Sequence, residues 1–216
     1  PQSYGIRSLG APNADMKPYG AIFNAGKFSM MEDDTRTHLT FKTDFEQTLN
    51  MECTLNVLKR NVGMSLAHAT PLNQLPLVGG NELDDPAIRQ LFKRSLQAGQ
   101  YLMENGSSPS AEVAAVIDED AIRYFGATTS AVAVKDRSRY MYSHDGALRT
   151  QPRYVQRISG DLLYYQRIPL AQFGAPVDVV LLEDILRYPA KYKMVIFLNA
   201  VKDKPELRQA IQALRD

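Results

Sequence analysis

The chain has 216 residues, of which 44% are hydrophobic and 23% charged, an ordinary globular composition that argues against a disordered polymer. Lys and Arg number 25 against 24 Asp and Glu, so there is no basic excess of the kind that binds nucleic acid. No apolar run approaches the length of a membrane span, and a single cysteine, Cys53, excludes an internal disulfide and a paired-cysteine zinc site.

Residues 1–20 hold three prolines and three glycines and read as an irregular loop. Residues 21–31 read as a strand interrupted by "NAGK". It runs into Glu32, Asp33 and Asp34, with Arg36 and His38 directly behind. A loop that only had to be soluble could use Ser, Asn or Gly. Three carboxylates, a guanidinium and an imidazole at a strand end point either to chemistry or to solvated ion pairs. Asp34 with Arg36 would be such a pair, contributing about 0–1 kcal/mol if exposed. Thr43 and Glu46 have the spacing of a capping box opening a helix to about residue 68. Its expected buried stripe is Met51, Leu55, Leu58, Val62 and Leu66. Cys53 falls on that helix and reads as a structural thiol.

"ATPLNQLPLVGG", residues 69–80, reads as a short strand end and loop. Asp85 and Pro86 then form an N-cap and a first-turn proline. The helix behind them reaches about residue 104, with Ile88, Leu91 and Phe92 inward. Two successive strand–loop–helix units fit the closing part of a (β/α)₈ barrel, where active-site residues sit at strand carboxyl ends. Glu32 is at such an end, and glycoside hydrolysis needs a pair of carboxyl groups.

Residues 105–110, "NGSSPS", read as a linker between a first domain, residues 1–105, and a second, residues 110–216. Beyond it the pattern changes. "AEVAAVID", "APVDVVLLEDI" and "YKMVIFLNA" are apolar runs of the kind buried on both sheet faces. Helices are expected at 161–173, where interior Pro169 means either a kink or two short turns in place of one helix, and after Asp203, whose spacing to Glu206 suggests a capping box. Leu207, Ile211 and Leu214 form the stripe of that last helix. The alternation argues for a parallel, doubly wound α/β sheet. Residues 127–153 have no clean period and read as an irregular insertion. No G-x-G-x-x-G follows the first of these strands. "VIDED" reads as a strand-end loop rather than a metal site, and His68 and His144 read as structural.

Taken together, "GKFSMMEDDTRTHL", "VLKRNVGMSLAHATPL", "LDDPAI", "SSPSAEVAAVIDED", "YYQRIPLAQFGAPVDVVLLEDI" and "KYKMVIFLNA" resemble the barrel glycosidases related to β-galactosidases of glycoside hydrolase family 42. The resemblance covers nearly the whole chain in order. It implies the C-terminal part of a TIM barrel followed by a partial flavodoxin-like, class I glutamine-amidotransferase-like domain, through which the parent protein would form a homo-oligomer. It implies a retaining glycosidase acting on a carbohydrate, with Glu32 as nucleophile and Asp34, Arg36, His38 and Asn73 around the substrate. The acid/base glutamate would lie on a strand outside this sequence, so the chain alone would be inactive. No cofactor, metal, nucleic acid or membrane partner is implied. Side chains alternate along a strand, so with Glu32 facing the site Asp33 faces away and is expected to be dispensable. The family's tryptophan pair is missing: the chain has Trp 0, and "PLNQLP" stands in its place. Tyr4 and Tyr19 are the candidate substitutes as a sugar platform, against plain loop packing. Without that platform, a non-catalytic carbohydrate-binding or assembly protein that kept the fold is the alternative. Both ends of the chain read as cut, and with no signal-like segment a cytoplasmic location is favoured over a secreted one.

Overall fold

The computed structural model describes residues 9–12, 17–41, 47–76, 80–106, 110–124, 138–142, 148–152, 162–163 and 166–215. It is a mixed α/β chain with parallel sheets, and it divides into two compact units.

The first unit comprises residues 1–16, 29–109 and 138–151. Strand β1 (Met31–Asp33) pairs in parallel with β2 (Leu72–Gln74), joined by helix α2 (Met51–Ala67). Helix α3 (Pro86–Asn105) packs on α2. Each long helix begins at a side-chain cap. Asn50 accepts the Cys53 N–H at 2.9 Å. Asp85 accepts the N–H groups of Ala87 and Ile88, with Pro86 in the first turn, as its spacing predicted. The expected cap residues 43 and 46 lie outside the described residues, and α2 starts later than they implied. Its buried face is Thr54, Val57, Leu58, Asn61, Val62 and Ser65, whereas Met51, Leu55 and Leu66 are only half-buried. The stripe is therefore rotated toward polar residues. Cys53 is half-buried in the first turn. Strands β4 (Ser138–Tyr142) and β5 (Leu148–Pro152) form a two-stranded sheet inside the span expected to be irregular.

The second unit comprises residues 17–28, 110–137 and 152–216. Its sheet has the order β6-β3-β7, all parallel. Central strand β3 (Val113–Ile117) is flanked by β6 (Val177–Leu181) and β7 (Met194–Phe197). Helices α4 (Glu119–Tyr124), α5 (Arg167–Ala171), α6 (Leu182–Arg187) and α7 (Pro205–Arg215) complete the unit. β3 is buried on both faces, as its unbroken apolar run predicted. The core gathers Ala114, Val116, Val180, Leu182, Ile185, Tyr192 and Ala210.

Three local expectations are corrected here. The expected strand at 21–31 is in part helix α1 (Tyr19–Asn24). That helix packs on β6, and tertiary contact overrides the local strand preference. Pro169 is in the first turn of the five-residue α5, where a proline is tolerated, so among the described residues the short-turn alternative, not the kinked helix, is found at this position. Asp203 pairs with Arg208 instead of capping α7. That hydrogen bond holds the Asp203 carboxyl below its usual range and raises the Arg208 guanidinium. On α7 it is Ala210 that turns fully inward, while Ile211 is 42% exposed.

Candidate functional site

The candidate site is built on the parallel β1–β2 pair. Met31 N–H donates to the Pro71 carbonyl (2.8 Å), and Leu75 N–H donates to the Asp33 carbonyl (2.8 Å). These bonds set the register, in which Glu32 lies beside Asn73 and Asp33 beside Gln74. Met31 and Asp33 are fully buried. Asp33 is bonded to Asn61 of α2, so this pair faces the helix. By alternation, Glu32 faces the other side of the strands. Aligned residues on neighbouring strands share a face, so Asn73 stands beside it. Glu32 is half-buried and Asn73 exposed. Two of the expected site residues are thus brought together, on the side away from α2.

Asp33 is the hub of the buried side. Its Oδ1 accepts the Thr35 N–H (3.0 Å) and the Thr35 hydroxyl (2.5 Å). Its Oδ2 accepts Asn61 Nδ2 (3.0 Å) and Gln74 Nε2 (2.9 Å). Four donors from β1's own turn, α2 and β2 converge on one carboxylate. Such a group cannot be dispensable, contrary to the sequence reading: burial makes each of those donors dependent on it.

The remaining expected residues lie along the turn after β1. Asp34 is buried, and Arg36 and His38 are half-buried. The Thr54 hydroxyl oxygen accepts the His38 backbone N–H (3.1 Å) and lies 2.9 Å from His38 Nδ1. Thr48 Oγ1 is 2.6 Å from the same oxygen. Two proton arrangements satisfy all of them: Thr48 donates to Thr54 and Thr54 to His38 Nδ1, or His38 Nδ1–H donates to Thr54 and Thr54 to Thr48. His38 is in that way tied inward to α2, and its Nδ1 is committed to the helix rather than to a ligand. Arg36 holds the turn through its backbone, accepting Thr48 N–H (3.0 Å).

Of the candidate sugar platforms, Tyr19 is buried at 6% exposure in α1 of the second unit, which makes it a packing residue. Tyr4 and His144 lie outside the described residues. His68 is the C-cap of α2, and its backbone carbonyl accepts the Thr70 hydroxyl (3.1 Å). Sequence reasoning missed Thr35, Thr54, Asn61 and Gln74 as supporting residues. The available signal was Thr54, Asn61 and Ser65, polar residues at helical spacing on the face of α2 that also carries Leu58 and Val62.

Among the described residues, no group of three or more His, Cys, Asp or Glu is placed to hold a metal ion. No described helix is long and apolar enough to cross a membrane. No protein-family model matches the chain, and neither a curated protein nor a solved structure matches it.

Proposed function

We propose that the chain is part of a retaining glycoside hydrolase similar to the family 42 β-galactosidases, with Glu32 as its nucleophile. On this reading the first unit is the closing part of a (β/α)₈ barrel, and the second is a flavodoxin-like domain through which the parent associates with itself. The observation that carries the proposal is the division of labour among three adjacent acids. Asp33 is locked by four hydrogen bonds on the helix side, and Asp34 is buried in the turn. Glu32 alone projects from the opposite face of a parallel strand, beside Asn73. In a barrel that face is the interior. A nucleophilic carboxylate needs a rigid backbone beneath it and room in front of it. On this reading Asn73, beside Glu32 in the register, would hydrogen-bond a sugar hydroxyl, and Arg36 would serve the substrate from the turn after β1. Retention requires a second carboxyl about 5–5.5 Å from the first, which the resemblance assigns to a barrel strand outside this sequence.

The absence of tryptophan from the whole chain favours a second reading, a carbohydrate-binding or assembly protein that kept the fold. One experiment separates the two. The full-length protein is incubated with a 2-fluoro glycoside bearing a good leaving group, and the labelled peptide is mapped by mass spectrometry. The expected label is on Glu32, with loss of labelling and turnover in Glu32→Gln. A label on Asp33, on Asp34 or outside residues 24–39 overturns the assignment. Saturable sugar binding with neither label nor turnover supports the second reading.

A further inference from the structure

The outer edge of β7 is open. In the sheet order β6-β3-β7, β7 pairs with β3 on one side, and among the described residues no strand pairs with it on the other. The Met194 N–H donates to the Glu112 carbonyl (3.2 Å) and the Leu198 N–H to the Val116 carbonyl (3.0 Å). Backbone groups alternate in direction along a strand. Ile196 therefore also turns to β3, while Val195 and Phe197 turn their N–H and C=O groups to the open edge. Such an edge is a template for another strand, and proteins blunt it with charge, proline or a bulge. The β7 residues, MVIF, hold neither charge nor proline, and their pairing with β3 runs one to one without a bulge. Met194 is 46% exposed. Beside this strand lies a cavity of about 640 Å³, walled in part by Tyr192, Val195 and, from the last turns of α7, Ala213 and Leu214.

We propose that β7 is a self-association edge: two copies of the chain join their β7 strands antiparallel about a two-fold axis at Ile196, making one continuous sheet. Two-fold pairing requires every contact to be reciprocal, and the register centred on Ile196 uses both outward-turned residues. Val195 then faces Phe197 of the second copy, Phe197 faces its Val195, and each pair exchanges both N–H···O bonds. The edge is complementary to itself in side chains as well. Val195 and Phe197 pack on the core together with Leu207 and Leu214 of α7, so they share one sheet face and meet their counterparts there as apolar pairs. Phe197 of the second copy arrives beside Val195, at the cavity that Ala213 and Leu214 wall. Like charges stay apart. Lys193 falls opposite Asn199 of the second copy, at the far end from the other Lys193, and it is paired with Glu112 (2.5 Å). A strand this short buries little surface, which puts the dimer among the weak interfaces, below about 1,200 Å².

Self-association through this unit belongs to the proposed function, but the β7 edge rests on strand geometry alone: a monomeric chain leaves the Glu32 assignment untouched, and failed labelling of Glu32 leaves this edge untouched. The test is sedimentation equilibrium on the 216-residue chain from about 1 to 300 μM, a range that detects weak dimers, with a cross-linking arm. A monomer–dimer equilibrium is expected. In a Cys53→Ser background, Ile196→Cys should close an intermolecular disulfide under mild oxidation. Residues facing each other in a non-hydrogen-bonded antiparallel pair have Cα atoms about 4.5 Å apart, within reach of a disulfide. Met194→Cys should not cross-link, since its counterpart lies about four residues along the strand, roughly 14 Å away. Val195→Pro removes an outward N–H and none of the bonds to β3, and should weaken the dimer about tenfold. A chain that stays monomeric throughout the range overturns the proposal. So does association without the Ile196→Cys cross-link, or with Met194→Cys linking as readily, either of which puts the contact elsewhere, as on the exposed Leu96 and Met103 of α3. If Val195→Pro fails to fold, the contrast between the two cysteine variants decides alone.

Discussion

Asp33 shows how one carboxylate fixes the geometry of its neighbour. Its four hydrogen bonds hold β1, β2 and α2 in one arrangement, and Glu32 inherits its direction from that arrangement. Asp33→Asn keeps the size but turns one acceptor oxygen into a donor. That donor then faces either Thr35 or the Asn61–Gln74 pair, all of which already donate. The expected cost is about 1–3 kcal/mol of stability, read as a lower urea midpoint. Glu32→Gln, which touches none of this network, should stay within about 0.5 kcal/mol of wild type. Equal stability of the two variants would sink the assignment of Asp33 as the hub. The sequence made the acids visible as a cluster but not their ranking. Glu32, Asp33 and Asp34 are chemically alike, and what separates them is which strand face meets α2. That depends on Asn61, a residue 28 positions away.

At the level of elements, the parts legible in the sequence were those set by local chemistry. The Asp85–Pro86 start of α3 is an example, since cap and proline act within one turn. The continuous apolar run of β3 is another, because burial on both faces leaves no polar alternation. The parts not legible were those decided by distant contacts. The buried face of α2 is half polar because Asn61 meets Asp33 and Thr35, Thr54 meets His38 and Thr48, and Ser65 meets the Thr70 carbonyl, so an apolar stripe pointed to the wrong rotation. Helix α1 is the clearest case. Its residues YGAIFN carry no cap and no clear helical period, yet they pack on β6. Gly20 permits that contact: a Cβ there would come within 2.6 Å of Val180 Cγ1, 2.9 Å of Asp178 Cβ and 3.0 Å of the Val179 carbonyl oxygen. The last is backbone and cannot rotate away. Gly20→Ala should therefore push α1 off the strand and cost about 1–3 kcal/mol. Gly63→Ala is the control. Gly63 is in α2 with nothing within 4 Å of a new Cβ, and the change should stabilise by about 0.5–1 kcal/mol. Hydrogen exchange at residues 19–24 gives a direct readout. Unchanged protection there in Gly20→Ala would refute the close-contact argument.

On the scale of the whole molecule, the second unit is cross-braced by buried ionisable groups, and that makes its stability depend on pH. Asp178, 1% exposed, accepts the Tyr192 hydroxyl at 3.1 Å and lies 3.5 Å from Lys191 Nζ. Lys191 continues to Asn24 of α1 (2.7 Å), and Asn24 to Asp184 of α6 (3.2 Å). Asp184 in turn accepts Leu181 N–H (2.9 Å) at the start of that helix. One chain of polar contacts thus joins α1, β6, α6 and the approach to β7. Burial pushes the Tyr192 hydroxyl well above the ordinary tyrosine value, with the negative charges of Asp178 and Asp184 adding to it. Lys204 is also raised. Both groups hold their protons more tightly in the folded state than in the unfolded chain. Their stabilisation is then fully present below the unfolded values, about 10 for Tyr and 10.4 for Lys, and is lost as pH rises toward the folded values. Asp203 has the opposite sign, since its lowered carboxyl stabilises above the usual carboxylate range and loses that on acidification. It is fully exposed, so solvent screens the effect. The expected outcome is a urea midpoint for this unit that falls above about pH 10. Tyr192→Phe should lower the midpoint at neutral pH by removing the Asp178 contact, and the gap to wild type should narrow as pH rises from about 9 to 11, because the variant has no tyrosine proton to lose there. Measuring both midpoints across that range decides the matter: a gap that stays constant means Tyr192 does not carry the alkaline sensitivity of the fold.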